Sequence, residues 1–152
     1  MISQKPLSPP DEVTIDSGAC ALLEQSVWRA YPGEACGVLL SERETGAVQA
    51  IRSLENRANR KISGRYYRID PVELYRLECR AEAEGYGIAG FWHSHVNAEA
   101  VLSGEDERYM VPGMVYLIIP VTGAGTGRCR AYRKKTADGK AAEISIRVKE
   151  RT

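Results

Sequence analysis

The 152-residue chain has two histidines, and they stand two apart: His93 and His95, in the run Phe91-Trp92-His93-Ser94-His95. On a β-strand, residues i and i+2 point to the same face, so a strand here sets two imidazoles side by side. Neutral imidazole is a good zinc ligand, and such a pair is half of a metal site. A tetrahedral catalytic zinc needs a third protein ligand and one open position for water. Four side chains after His95 offer an oxygen: Asn97, Glu99, Glu105 and Asp106. Ser103 at a helix start would put Asp106 in the first turn. Ser-x-x-Asp is also close to a capping box, and taken alone that reading is the commoner one. A water held by zinc needs a base, and a carboxylate can take its proton and pass it to a leaving amine. Glu34 is the candidate, beside Gly33 and Gly37 and directly before the apolar run 35–40; an exposed loop acid is the competing reading.

These residues need elements to position them. Residues 88–92 are apolar, so strand 87–95 is rooted in the core and presents the histidines at its C-terminal end. The run 35–40 reads as a buried strand, with 47–54 as its antiparallel neighbour across Glu44-Thr45-Gly46. Residues 12–15 suit a short strand. Asp16 or Ser17 then caps a helix to about Tyr31, whose Ala19, Leu22, Leu23, Val27 and Ala30 recur at helical spacing before Pro32-Gly33 stops it. Asp70-Pro71 starts a second helix, which Gly85 ends. Between them, 55–65 reads as a basic loop and 66–69 as an edge strand. A short helix over 103–110, a core strand over 115–121, a turn at 123–127 and strands 128–134 and 143–148 complete the chain. The Asp138-Gly139 pair marks the last two as a hairpin. The expected architecture is α/β: one mixed, mainly antiparallel sheet flanked by two long helices and one short one.

Composition narrows the class. There are 21 Lys+Arg against 20 Asp+Glu, a net charge of +1, which argues against a dedicated nucleic-acid binder. Apolar residues make up 43%, enough for a packed core. The longest strongly apolar run, 115–121, is far short of a membrane span. Residues 1–11 hold three prolines and no apolar signal region, so they read as a loose tail ahead of one domain over 12–152, with a cytoplasmic address as the default. Cys20, Cys36, Cys79 and Cys129 have no C-x-x-C spacing, and buried free thiols are the expectation.

The string Glu34-Ala35-Cys36-Gly37-Val38-Leu39-Leu40, followed by His93-x-His95, seven residues, Ser103, two residues and Asp106, resembles the JAMM (MPN+) metalloproteases. Their pattern is a distant Glu followed by H-x-H-x7-S-x2-D, and the spacing agrees at every position. The resemblance spans nearly the whole chain and implies a JAB/MPN-like fold with a core like that of cytidine deaminases. It implies His93, His95 and Asp106 as zinc ligands, Glu34 as general base and then acid, and Ser103 as a donor to the developing oxyanion. On this reading Ser103 and Asp106 open a helix and serve the metal together. Val96 and Leu102 stand where many members have proline, which implies an altered loop path and an unaffected metal.

The compact chain is similar to the small stand-alone prokaryotic members. These imply hydrolysis after the C-terminal Gly-Gly of a ubiquitin-like sulfur carrier protein. An extended tail can add to a sheet edge by backbone bonds, and Gly-Gly can pass a narrow gap. Arg57, Arg60, Lys61 and Arg65 read first as a solvated basic loop and second as a seat for an acidic carrier. Cys36, Trp92, Tyr66 and Tyr67 read as packing before site wall or groove. Two other classes compete: a metal-free module that binds a ubiquitin-like partner, and a nucleobase deaminase. The second needs H-x-E with P-C-x-x-C, which is absent. The oligomeric state, monomer or homodimer, stays open.

Overall fold

The computed structural model describes residues 11–54 and 71–150. In chain order these form β1 (Glu12–Asp16), α1 (Ser17–Ala30), β2 (Cys36–Glu42), β3 (Val48–Leu54), α2 (Pro71–Ala83) and β4 (Tyr86–Val96). Then come α3 (Gly104–Arg108), β5 (Val115–Thr122), β6 (Gly125–Thr126), β7 (Arg130–Lys134) and β8 (Ala141–Lys149). Residues 1–10 of the expected tail 1–11, the strand 66–69, the basic loop and the Asp70 cap lie outside the described residues. No described helix is long and apolar enough to cross a membrane.

The strands make one mixed sheet. Its β1–β3, β1–β8 and β4–β5 pairings are parallel and the remaining five antiparallel. It is mainly antiparallel, as expected, and it also closes on itself. β4 pairs with β2 on one flank and β5 on the other, so the order β4-β2-β3-β1-β8-β7-β5 returns to its start. Two glycines permit this closeness. A Cβ at Gly90 would collide with the Val115 carbonyl, and one at Gly37 with the Arg52 carbonyl and the Trp92 ring.

Side chains alternate between the two faces of this ring. The inner cluster takes Ile15, Leu39, Val48, Trp92, Leu117, Val121 and Ile144, from six strands, and is joined by Ala19, Leu23 and Val27 of α1. Asp16 caps α1 by accepting the Ala19 N–H at 3.2 Å. The buried stripe of α1 is narrower than its periodicity suggests, because Leu22 is 52% exposed. On the outer face, α2 packs Leu77 and Ala81 against Cys36, Val38 and Leu40. Beside it, Ala100 and Met110 pack on Tyr116, Ile118 and Tyr132.

The short helix was expected over 103–110 and covers only Gly104–Arg108. Its end is set by tertiary contacts: Met110 turns into the core and the Val111 N–H donates to the Tyr116 hydroxyl at 2.8 Å. The expectation of buried thiols holds for Cys36 alone. Cys20 and Cys129 are half-buried, and Cys79 lies exposed on α2, away from the sheet.

Candidate metal centre

β4 places His93 and His95 on its outer face, with Trp92 and Ser94 turned inward. The rings are 4.9 Å apart at centroid, tilted by 53°. His93 is 1% exposed. His95 Nδ1 lies 2.8 Å from the Glu99 carbonyl oxygen. A carbonyl only accepts, so Nδ1 carries the proton and Nε2 keeps its lone pair outward.

Among the candidate oxygens whose side chains are described, Asp106 is the one brought to the imidazoles. Its Oδ2 lies 3.6 Å from His93 Nε2 and 3.5 Å from His95 Nε2. Asn97 is committed elsewhere: it turns the chain with φ 54° and accepts the Tyr31 hydroxyl at 3.1 Å. Glu99 contributes its main-chain carbonyl, and its side chain is exposed. The side chain of Glu105 lies outside the described residues. With Val96 and Leu102 in place of prolines, the loop is shaped by these bonds and by Asn97 N–H to the Val121 carbonyl at 2.7 Å.

The capping box forms too. The Asp106 N–H donates to Ser103 Oγ at 2.9 Å, and the Ser103 N–H donates to Asp106 Oδ2 at 3.3 Å. The oxygen that closes the cap is the one that faces both histidines. Ser103 Oγ accepts in this pairing, which leaves its own proton to donate outward.

Glu34 is 8% exposed, so it is not a loop acid in solvent. β2 and β4 pair Cys36 with His93. Continued two residues, that register sets Glu34 opposite His95. The intermediate rung is made by Ser94, whose N–H donates to the Ala35 carbonyl at 2.9 Å and whose Oγ accepts the Ala35 N–H at 2.8 Å. Ser94 thus ties the neighbour of Glu34 to the histidine strand. Sequence reading gave it no role, and only its place between the two histidines hints at one.

Electrostatics follows the geometry. Burial pushes the Glu34 carboxyl up to about 7; His95 opposes this and Asp106 adds to it. Burial pulls the His93 imidazole below its ordinary value, against the pull of Asp106. Burial also acts downward on His95, but the Asp106 carboxylate beside it and the Glu99 carbonyl prevail and its net direction is up. Burial raises Asp106, yet the two imidazoles beside it hold it well below the carboxylate range. Burial pushes the Cys36 thiol up to about 12, in keeping with a packing role.

The donor set suits zinc. His93, His95 and Asp106 each offer one ligand atom, all within 4.8 Å of one another. Bonds of about 2.0–2.1 Å at tetrahedral angles imply donor separations of roughly 3.3–3.4 Å. The 3.5 and 3.6 Å distances from Asp106 are close to that. Two imidazoles and a carboxylate are ligands that zinc accepts, and three of them leave a fourth position open.

Residues 20–134 match the profile of the prokaryotic homologs of the JAB domain. Over 97 residues the chain is 35% identical to a desampylase of Haloferax volcanii, covering 62% of this chain and 68% of the relative. A solution structure of a protein from Desulfitobacterium hafniense superposes with a TM-score of 0.75 at 27% identity, covering 91% of this chain and 94% of that one. A crystal structure of a JAB1/MPN domain protein from Archaeoglobus fulgidus has the same fold, with a TM-score of 0.53 at 15% identity over 89% of this chain and 99% of the other.

Proposed function

The chain belongs to the family of prokaryotic JAB-domain proteins, and on that premise we propose a zinc-dependent hydrolase acting at the C-terminal tail of a ubiquitin-like protein. The observation that carries this reading is the convergence of His93, His95 and Asp106 on one point, with Glu34 buried across from His95. When bound, zinc is a Lewis acid that brings the pKa of a water it holds to about 7.

The chain's own groups supply the rest. His93 is kept neutral by burial and His95 is oriented by the Glu99 carbonyl, so both present a lone pair. Asp106 stays ionised. Glu34, raised to about 7, can accept a proton from the attacking water near neutral pH and return it to the leaving nitrogen. Ser103 Oγ–H donates to the oxygen of the scissile carbonyl as charge develops there. The carbonyl carbon gains an oxygen from water, and the leaving nitrogen gains the proton.

The desampylase relative supports a ubiquitin-like protein as the substrate; hydrolysis after a Gly-Gly terminus, as in a sulfur carrier protein, is our reading from the sequence resemblance. Among the described residues, β3 meets β1 only at Val48. The flank of residues 49–54 therefore offers backbone groups to an extended tail.

The test is to incubate the protein with a small ubiquitin-like protein bearing extra residues after Gly-Gly, or joined to a lysine, and weigh the products. Zinc-loaded wild type should break the bond after the second glycine, leaving a carrier whose mass ends at that glycine carboxylate and freeing the extension or lysine with its amine. Glu34→Gln should retain zinc while losing about 10²–10⁴-fold in rate. Undiminished turnover by Glu34→Gln would overturn the mechanism. Binding of the partner without cleavage would leave the binding-module reading in its place.

A further inference from the structure

Lys134 ends β7 and is 2% exposed, the one ammonium among the large fully buried side chains of the described residues. Burying an ammonium is costly unless it gains a strong partner, and an apolar residue would fill the same space without that cost. Its partner is specific. Nζ donates to the main-chain carbonyl of Glu107 at 2.7 Å. Glu107 follows Asp106 directly. A helix of five residues has almost no hydrogen bonds of its own; its Glu107 carbonyl accepts the Met110 N–H at 3.3 Å, and Lys134 adds the shorter bond from the strand.

Two residues earlier on the same face of β7, Tyr132 does the matching thing. Its hydroxyl donates to the Ala100 carbonyl at 2.8 Å. One strand therefore holds both ends of the segment 100–107, and Ser103 and Asp106 lie between the two anchors. The β7–β8 hairpin adds a third tie: Ala141, the cross-strand partner of Lys134, donates its N–H to Glu107 Oε2 at 2.9 Å. The chain leaving α3 returns to the same point, where the Gly113 N–H donates to the Lys134 carbonyl at 2.9 Å.

We propose that Tyr132 and Lys134 are positioning residues for the metal centre, fixing the segment 100–107 so that Asp106 Oδ2 stands opposite both imidazoles. The proposal rests on the reading of His93, His95 and Asp106 as ligands. It explains why a buried lysine and a buried phenol sit two apart on a strand that contributes no ligand.

The experiment uses the full chain, with zinc affinity measured by competition against a chromophoric chelator and ligand geometry by the electronic spectrum of the cobalt(II) form. Lys134→Met and Tyr132→Phe each remove one donor and keep most of the volume. Both should weaken zinc by about tenfold or more, the scale of lost outer contacts to metal ligands, and should alter the cobalt spectrum. Val13→Ala, in the inner core and remote from the segment, should lower the melting temperature and leave both readouts at wild-type values. Should Lys134→Met fail to fold, Tyr132→Phe decides alone. Wild-type affinity and spectrum in the folded donor variants would overturn the proposal, as would equal weakening by Val13→Ala. Failure of the wild type itself to take up zinc would instead strike the metal-site reading, and this inference with it.

Discussion

Asp106 Oδ2 accepts the Ser103 N–H and also faces both imidazoles, so the cap and the proposed metal ligand that compete in the sequence are one arrangement. His93→Ala and Asp106→Ala should each abolish stoichiometric zinc uptake, read by elemental analysis after dialysis. Asp106→Ala also uncaps α3, at a further cost of about 1 kcal/mol. Retention of one zinc per chain in either variant would remove that residue from the ligand set. Glu34 yields a pH signature in the metal-free protein. Its carboxyl rises from 4.5 to about 7 on folding, so the folded state prefers the neutral form. The associated stability is whole below pH 4.5 and is lost as pH climbs through about 7. Glu34→Gln has no such loss, so its stability relative to wild type should be greater at pH 8 than at pH 5 in urea melts. An unchanged difference would mean that Glu34 is not held neutral by burial. Strand parity alone paired His93 with His95 in the sequence, whereas Asp106 and Glu34 were singled out only by the resemblance to the JAMM pattern, since spacing left four oxygens open and gave Glu34 no partner. Ser94, Tyr132 and Lys134 were not legible, since each acts on a peptide group distant in sequence, and a lone serine, tyrosine or lysine carries no local mark of that.

Among the elements, α1, α2 and the β2–β3 hairpin followed from periodicity and turn residues, to within a residue or two at their ends. α3 fell short because its end is set by Met110 and Tyr116, contacts that helical spacing does not report. β6 is two residues within a glycine-rich turn, too brief to leave a pattern. The parallel pairing of β4 with β5 depends on Gly90, where a methyl would meet the Val115 carbonyl. Gly90→Ala should cost about 3 kcal/mol or more, at the upper end for overpacking, and should weaken zinc because the same strand bears both histidines. Calorimetry alongside zinc titration checks this; a variant with wild-type melting would show that β4 and β5 separate easily.

For the whole molecule, a mixed, mainly antiparallel sheet with three helices was readable from the order of elements. Its closure was not, because two flanks of one strand pairing at once is a long-range property. Zinc should stabilise the folded chain by about 2.7 kcal/mol at a free concentration a hundred times its dissociation constant. At this size that is a rise of roughly 5–11 °C in melting temperature. Chelators should abolish both the rise and the hydrolysis, with zinc restoring them. A melting temperature indifferent to zinc would sink the metal-dependent account.

The two walls of the centre differ in tenacity. β4 is hydrogen-bonded along both flanks, whereas Asp106 rides on a helix of five residues. Even with its anchors to β7, that segment lacks a ladder on either side, so amide exchange should be slower at Trp92–Ser94 than across Gly104–Arg108. An ion departing this protein would leave when the carboxylate swings off, while the imidazoles keep still.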